Sequence, residues 1–161
     1  MFIIRANFAD SFEINTTVER TQSFFSVGSN YVELMPNLDS IHTDGRGITR
    51  WMISAEIPFV GRMKQSFAVD FLATDTIIEW HPSPSETQNY LRCVAEIIEQ
   101  SAAKVLIRYS QNVEIRCQRA RDLHPLARMA GEKNISQGMQ AEVDLMLKIF
   151  ISKAKERLER V

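Results

Sequence analysis

Between Phe2 and Ile14 apolar side chains recur at every second position, at Phe2, Ile4, Ala6, Phe8, Phe12 and Ile14, with one interruption at Asp10. A period of two marks a strand with one buried face, so this segment is predicted to be one long strand. Thr16 stands three residues ahead of Glu19 and supplies a capping pair for a helix through Phe24 and Phe25, which Gly28, Ser29 and Asn30 break. Tyr31 to Met35 has room for one or two helical turns before Pro36, because proline lacks the amide donor and disfavours helix at the residue before it. Two short helices therefore follow the first strand.

The middle of the chain keeps the period of two. Leu38 to His42 is a weak strand. Ile48 to Ile57 alternates Trp51, Ile53, Ala55 and Ile57 with Arg50, Ser54 and Glu56. Pro58 to Gly61 makes a turn, and Phe67, Val69, Phe71 and Ala73 carry the apolar phase of the next strand. A two-residue turn at Thr74-Asp75 places Phe71 opposite Ile78 and Val69 opposite Trp80. His81 to Asn89, with two prolines, reads as a loop. Leu91, Cys93, Ala95 and Ile97 then face one way. After a turn near Ala102, Val105, Ile107, Tyr109, Gln111, Val113 and Ile115 do the same, which sets Cys93 opposite Gln111.

The last quarter changes to a helical period. Leu123 to Ala130 is a short helix stopped by Gly131. Asn134, with Gln137 three positions on, caps a longer helix running to about Arg157. Met139, Val143, Met146, Phe150 and Ala154 form its stripe, widened by Leu147, Ile151 and Leu158. Six of the seven residues from Leu145 to Ile151 are apolar, so its middle is expected to be buried over more than half its circumference. Gly138 costs roughly 1 kcal/mol against alanine in a helix, and close approach of a strand or ligand, or equally fraying near the helix start, accounts for it. No repeat or linker divides the 161 residues, which read as a single domain.

Composition narrows the function. With 19 Lys and Arg against 20 Asp and Glu, the net charge is −1, and no nucleic-acid partner is expected because neutralising phosphates takes a basic excess. No window approaches the roughly 18 apolar residues of a membrane span, and no secretory leader is expected from the opening residues. Two cysteines make no disulfide framework, and with three histidines they lack the spacing of a metal site. A reducing, cytoplasmic location is expected, with no metal and no cofactor implied.

The order of elements resembles that of the START-related (SRPBCC) superfamily, the helix-grip fold. The residues carrying the resemblance are Phe12-Glu13-Ile14 with the run Val18 to Phe25, then Tyr31 to Leu38, and the closing helix after Asn134. The polyketide cyclase-like and coenzyme Q-binding groups, and the group of carbon monoxide dehydrogenase accessory proteins, are similar at this level. The resemblance implies an α+β fold: a curved antiparallel sheet of six to seven strands around the C-terminal helix, with a cavity between them for an apolar or amphipathic small molecule. Phe8, Trp51, Phe67, Phe71, Trp80 and Tyr109 fall in the inward phases, facing Met139, Val143, Met146 and Phe150. Such a set lines an adaptable pocket or fills a solid core.

The resemblance also makes the first and last strands neighbours, bringing Asp10 near Tyr109 and Gln111. These three are the polar groups expected to face the cavity, as ligand contacts or, for Asp10 and Tyr109, as acid-base groups; a strand irregularity placing Asp10 in water is the alternative. Glu33, Asn37 and Asp39 surround the second helix at the cavity mouth. His42, His81 and His124 lie on distant segments without an elbow nucleophile, so no hydrolytic triad is expected. Cys93 is expected to be a small core residue unpaired with Cys117. Arg116, Arg119, Arg121 and Arg128 form either an anion-holding cluster or a solvated linker.

Three functions follow. A binding or carrier protein for a small hydrophobic ligand leads, and a cyclase or dehydratase acting on a polyketide-like substrate competes. The third is an accessory or assembly protein similar to those of carbon monoxide dehydrogenase. Edge strands and the apolar helix middle also invite pairing into a homodimer.

Overall fold

A computed structural model describes residues 1–160. Seven strands, β1 (Phe2–Ile14), β2 (Leu38–Thr43), β3 (Thr49–Ile57), β4 (Gly61–Ala73), β5 (Ile77–Pro82), β6 (Asn89–Ser101) and β7 (Lys104–Cys117), form one antiparallel sheet in the order β1-β7-β6-β5-β4-β3-β2. Helices α1 (Val18–Phe25) and α2 (Gly28–Leu34) follow β1, and α3 (Ala120–Leu123) leads into the long α4 (Ala127–Glu159). This is the α+β helix-grip arrangement, with α4 held against the sheet.

The pairing of β6 with β7 sets Cys93 opposite Gln111, as the turn near Ala102 predicts. The β4–β5 hairpin differs. Phe71 pairs with Trp80 and Ala73 with Ile78, because the turn is centred on Asp75-Thr76 and closed by Thr74 N donating to Ile77 O at 2.8 Å. The Thr74 hydroxyl also accepts from Ile77 N at 3.1 Å. The resulting slip is two positions, an even number, so every side chain keeps its face.

Helix ends also depart from expectation. Thr17, not Thr16, caps α1, its side chain accepting from Arg20 N. The Gly28 to Asn30 break is the first turn of α2 rather than a gap before it. Gly131, at φ 82°, interrupts α4 as predicted. Asn134 is no N-cap, because its side-chain amide donates to Ala130 O at 2.8 Å from inside the helix.

Helix α4 meets the sheet in two ways. Ile135, Met139, Val143, Met146, Leu147, Phe150, Ile151, Ala154 and Leu158 are buried, a stripe recurring every three to four residues. Leu145 is the exception, 58% exposed. Along one flank, Glu132, Ser136 and Gln140 accept hydrogen bonds from the backbone N–H of Ile3, Arg5 and Asn7, at 3.1, 3.3 and 2.8 Å. Gln140 also donates to Asn7 O at 2.7 Å. Four helical residues thus match two strand residues, and the free edge of β1 is sealed by side chains instead of by another strand.

At Gly138 the helix presses on the β3–β4 turn. An added Cβ would lie 2.8 Å from Pro58 Cδ and 3.4 Å from Ile57 Cγ2. Close approach therefore accounts for this glycine. Gly138→Ala is expected to lower the urea midpoint, because the clash with a rigid ring outweighs the roughly 1 kcal/mol that alanine gains in helix propensity. A rise of that size would show the contact to be slack.

Candidate functional site

The inward face of the sheet is built in rows. Phe71, Trp80, Cys93, Gln111 and Phe8 are paired in register across β4, β5, β6, β7 and β1. Trp51 and Phe67 are paired two inward rows further along, on β3 and β4, with Val69 in the row between. Phe150 of α4 lies over this face, with ring centroids 5.2 Å from Tyr31, 5.8 Å from Tyr109, 6.3 Å from Phe25 and 6.4 Å from Phe24. Tyr31 in turn meets Trp51 at 5.4 Å and Trp80 at 6.1 Å. Much of the inward aromatic set therefore packs on itself. Phe71 differs, being 43% exposed at the sheet margin with its ring 4.5 Å from that of Trp80.

A gap remains beside this cluster. It lies between the Met139, Val143 and Met146 face of α4 and a sheet wall that includes Ile53, Met63, Phe67, Val113 and Ile115. Its free volume is about 30 Å³, room for water-sized occupants unless side chains move. Three of its walls are methionines, whose unbranched thioether chains rearrange readily. Asn37 and Glu142 stand at its polar margin, the Asn37 amide donating to Glu142 Oε2 at 3.3 Å. Of the residues singled out by sequence, Asn37, Phe67, Met139, Val143 and Met146 line this gap. Apolar periodicity does not single out Met63 and Val113 as lining residues, although Met63 shares the parity of Phe67 on β4 and Val113 that of Gln111 on β7.

The polar groups divide between core and surface. Tyr109 and Gln111 are buried, the Tyr109 hydroxyl donating to Gln111 Oε1 at 2.8 Å and lying 3.0 Å from Cys93 Sγ. Asp10 pairs with Tyr109 in the ladder, yet it is exposed, and its carboxylate accepts from the neighbouring Ser11 N at 2.8 Å. The structure thus departs from the expectation of a cavity-facing Asp10. Helix α4 covers the β1 edge at Asn7 but supplies no partner at Asp10.

Around the second helix, Glu33 accepts both Arg157 guanidinium donors at 2.7 and 3.1 Å. Asp39 accepts from Ser54 Oγ at 2.6 Å, with Arg62 and Lys64 each 3.8 Å away. Of these rim residues, Asn37 alone reaches the gap. Cys93 and Cys117 are both free and buried. No group of three or more potential metal ligands occurs among the described residues, and no described helix is long and apolar enough to cross a membrane.

No protein-family model matches the sequence, and no curated protein matches it. Solved structures do. A START superfamily protein from Mycobacterium smegmatis superposes with a TM-score of 0.59 at 14% identity, over 95% of this chain and 97% of that one. An aromatase/cyclase from a Streptomyces strain gives 0.62 at 8% identity, over 95% of each chain. A di-domain aromatase/cyclase from the steffimycin biosynthetic pathway gives 0.62 at 10% identity; 97% of this chain is covered, and it spans about half, 51%, of that longer protein. The chain has the START-like (SRPBCC) fold. Identity this low carries the fold and not the activity.

Burial determines the protonation of the core. It pushes the Cys93 thiol up to about 12. Burial first, then Cys93 and Tyr31 nearby, holds the Tyr109 hydroxyl well above the ordinary 10.0. These groups are neutral at physiological pH, and neither is a ready base or nucleophile. Ellman's reagent is accordingly expected to leave Cys93 untouched until the protein unfolds. Below the unfolded thiol value of 9.0 both states keep the proton, whereas between 9.0 and about 12 the unfolded chain loses it and the folded one does not. Stability should therefore be complete on the acid side of this window and fall as pH rises through it. A flat urea midpoint across the window would contradict the buried, neutral core.

Proposed function

We propose that the chain is a binding or carrier protein for a small apolar or amphipathic molecule, taken up between the sheet and α4. The observation that carries this reading is the apolar gap walled by Met63, Met139 and Met146. Its boundary is made of flexible side chains, so an occupant larger than the free volume enters by displacing thioethers rather than backbone. The START-like fold of the comparison structures supports the reading.

The cyclase alternative needs an acid-base pair at the cavity. Asp10 and Tyr109 border one open hollow beside Ser110, but Asp10 is exposed whereas the Tyr109 hydroxyl is buried, held neutral and engaged with Gln111 Oε1, so nothing brings the two functional groups together on one substrate.

Titration with the fluorescent apolar probe N-phenyl-1-naphthylamine, alongside native mass spectrometry of the purified protein, tests the proposal. Saturable uptake is expected, with one probe per chain. Ala55→Leu, which adds bulk at the wall of the gap, should weaken uptake about tenfold or more without unfolding the protein. No uptake, or uptake unchanged in a well-folded Ala55→Leu variant, would remove this site as the binding place.

A further inference from the structure

The outer face of β6, β7 and β1, turned away from α4, exposes Ala9, Ser11, Arg92 and Arg108. Most of its charges are matched within the chain. Glu79 meets Arg92 at 2.6 Å, Glu114 meets Arg5 at 2.8 Å and Arg116 at 2.9 Å, and Glu13 meets Lys104 at 2.9 Å. Glu96 and Arg108 stand opposite each other in the β6–β7 ladder, yet among the described residues neither belongs to an ion pair.

Shape follows the same rows. Ala9, Ser11 and Ser110 are short side chains lining a hollow of about 490 Å³ that Glu96 and Arg108 also border. Across β5, β6, β7 and β1 one row reads Ile77, Glu96, Arg108, Ser11, with Ile77 38% exposed. Its first half is an apolar projection and a negative charge, and its second half is a positive charge and a short side chain. The row on one side pairs Val94 with Ser110, and the row on the other pairs Ile98 with Leu106. A face whose two halves complement each other also complements its own copy, turned about a two-fold axis that runs along the strands between β6 and β7. That turn lays Glu96 over Arg108 of the second copy, Ile77 over Ser11, Val94 over Ser110 and Ile98 over Leu106, each contact being repeated in reverse. An axis across the strands at this row would set Glu96 on Glu96 and Arg108 on Arg108, so charge selects the first. Face-to-face sheets pack about 10 Å apart with strands within about 30° of each other, which this arrangement meets.

We infer that this face joins two copies of the chain in an isologous dimer, with Glu96 of each copy meeting Arg108 of the other. The occupant of the outer face is a second copy. The routes expected from sequence are narrower: α4 seals the β1 edge, and of the apolar residues from Leu145 to Ile151 Leu145 alone is exposed.

Sedimentation equilibrium of the full chain through the micromolar range tests the assignment, and a dimer is expected. Glu96→Arg and Arg108→Glu each put like charges across both contacts and should raise the dissociation constant about hundredfold or more. Urea midpoints of the two variants show that each is folded. An equal mixture of the two should restore a dimer containing one of each, because opposite charges again face each other at both contacts. A monomeric wild-type chain would overturn the inference, and so would a dimer that survives either reversal. A mixture of folded variants that stays monomeric would overturn it as well, since charge repulsion within one sheet is not relieved by mixing.

Discussion

Phe150 ties the layers of this molecule together. Its ring is wholly buried and reaches aromatic rings of α1, α2 and β7 at once. Edge-to-face and offset contacts of this kind contribute about 0.5–1.5 kcal/mol each beyond their buried area. Because these contacts converge on one side chain, the position of α4 over the sheet and the closure of the two short helices are not independent. That coupling also decides what space is left. The aromatic cluster occupies one part of the interior, and the gap lies towards the N-terminal side of α4, where methionine and valine replace the aromatic rings.

The inward face beside that gap changes from apolar to polar along the strands. Parity along β7 places Val113 and Gln111 in succession on the same face, so an apolar wall passes directly into an amide. On β3 and β4, Trp51 and Phe67 do the same with an indole N–H at the boundary. The Tyr109 hydroxyl and Cys93 thiol beside Gln111 are kept neutral by burial, so this part of the core is polar without being charged.

Elements are legible in the sequence where a single period runs far enough to be read. Long β1, β6 and β7 carry four or more inward apolar positions each, and the register of β6 on β7 follows from one turn and one parity. The β4–β5 turn sits one residue beyond its predicted place, since the Thr74 hydroxyl's ability to close it leaves no mark on apolar periodicity. Asn134 has the composition of a cap but lies within a helix that resumes sooner after Gly131. For the candidate site, the helix half is readable because Met139, Val143 and Met146 are one stripe. The sheet half is less so: an inward phase tells which side chains point at the helix, not which of them meet one another and leave no room. Trp51 and Tyr109 are packed, while the less conspicuous Met63 and Val113 border the gap.

The side-chain seal between α4 and β1 resembles a vernier. A helix advances about 6.0 Å in four residues and a strand roughly 6.6–6.8 Å in two, so the two scales part by more than half an ångström at each rung. Glu132, Ser136 and Gln140 keep pace with Ile3, Arg5 and Asn7. At the next graduation Asp144 is engaged by Gln140 instead, at 2.8 Å. The mismatch between two regular repeats interrupts the seal after the third rung; α4 next engages this stretch of chain at Asn15, whose N–H donates to Glu159 Oε2 at 2.9 Å, and Asp10 lies in the interval between. A carboxylate whose alternation points inward therefore stays hydrated, at a place fixed by the arithmetic of helix and strand.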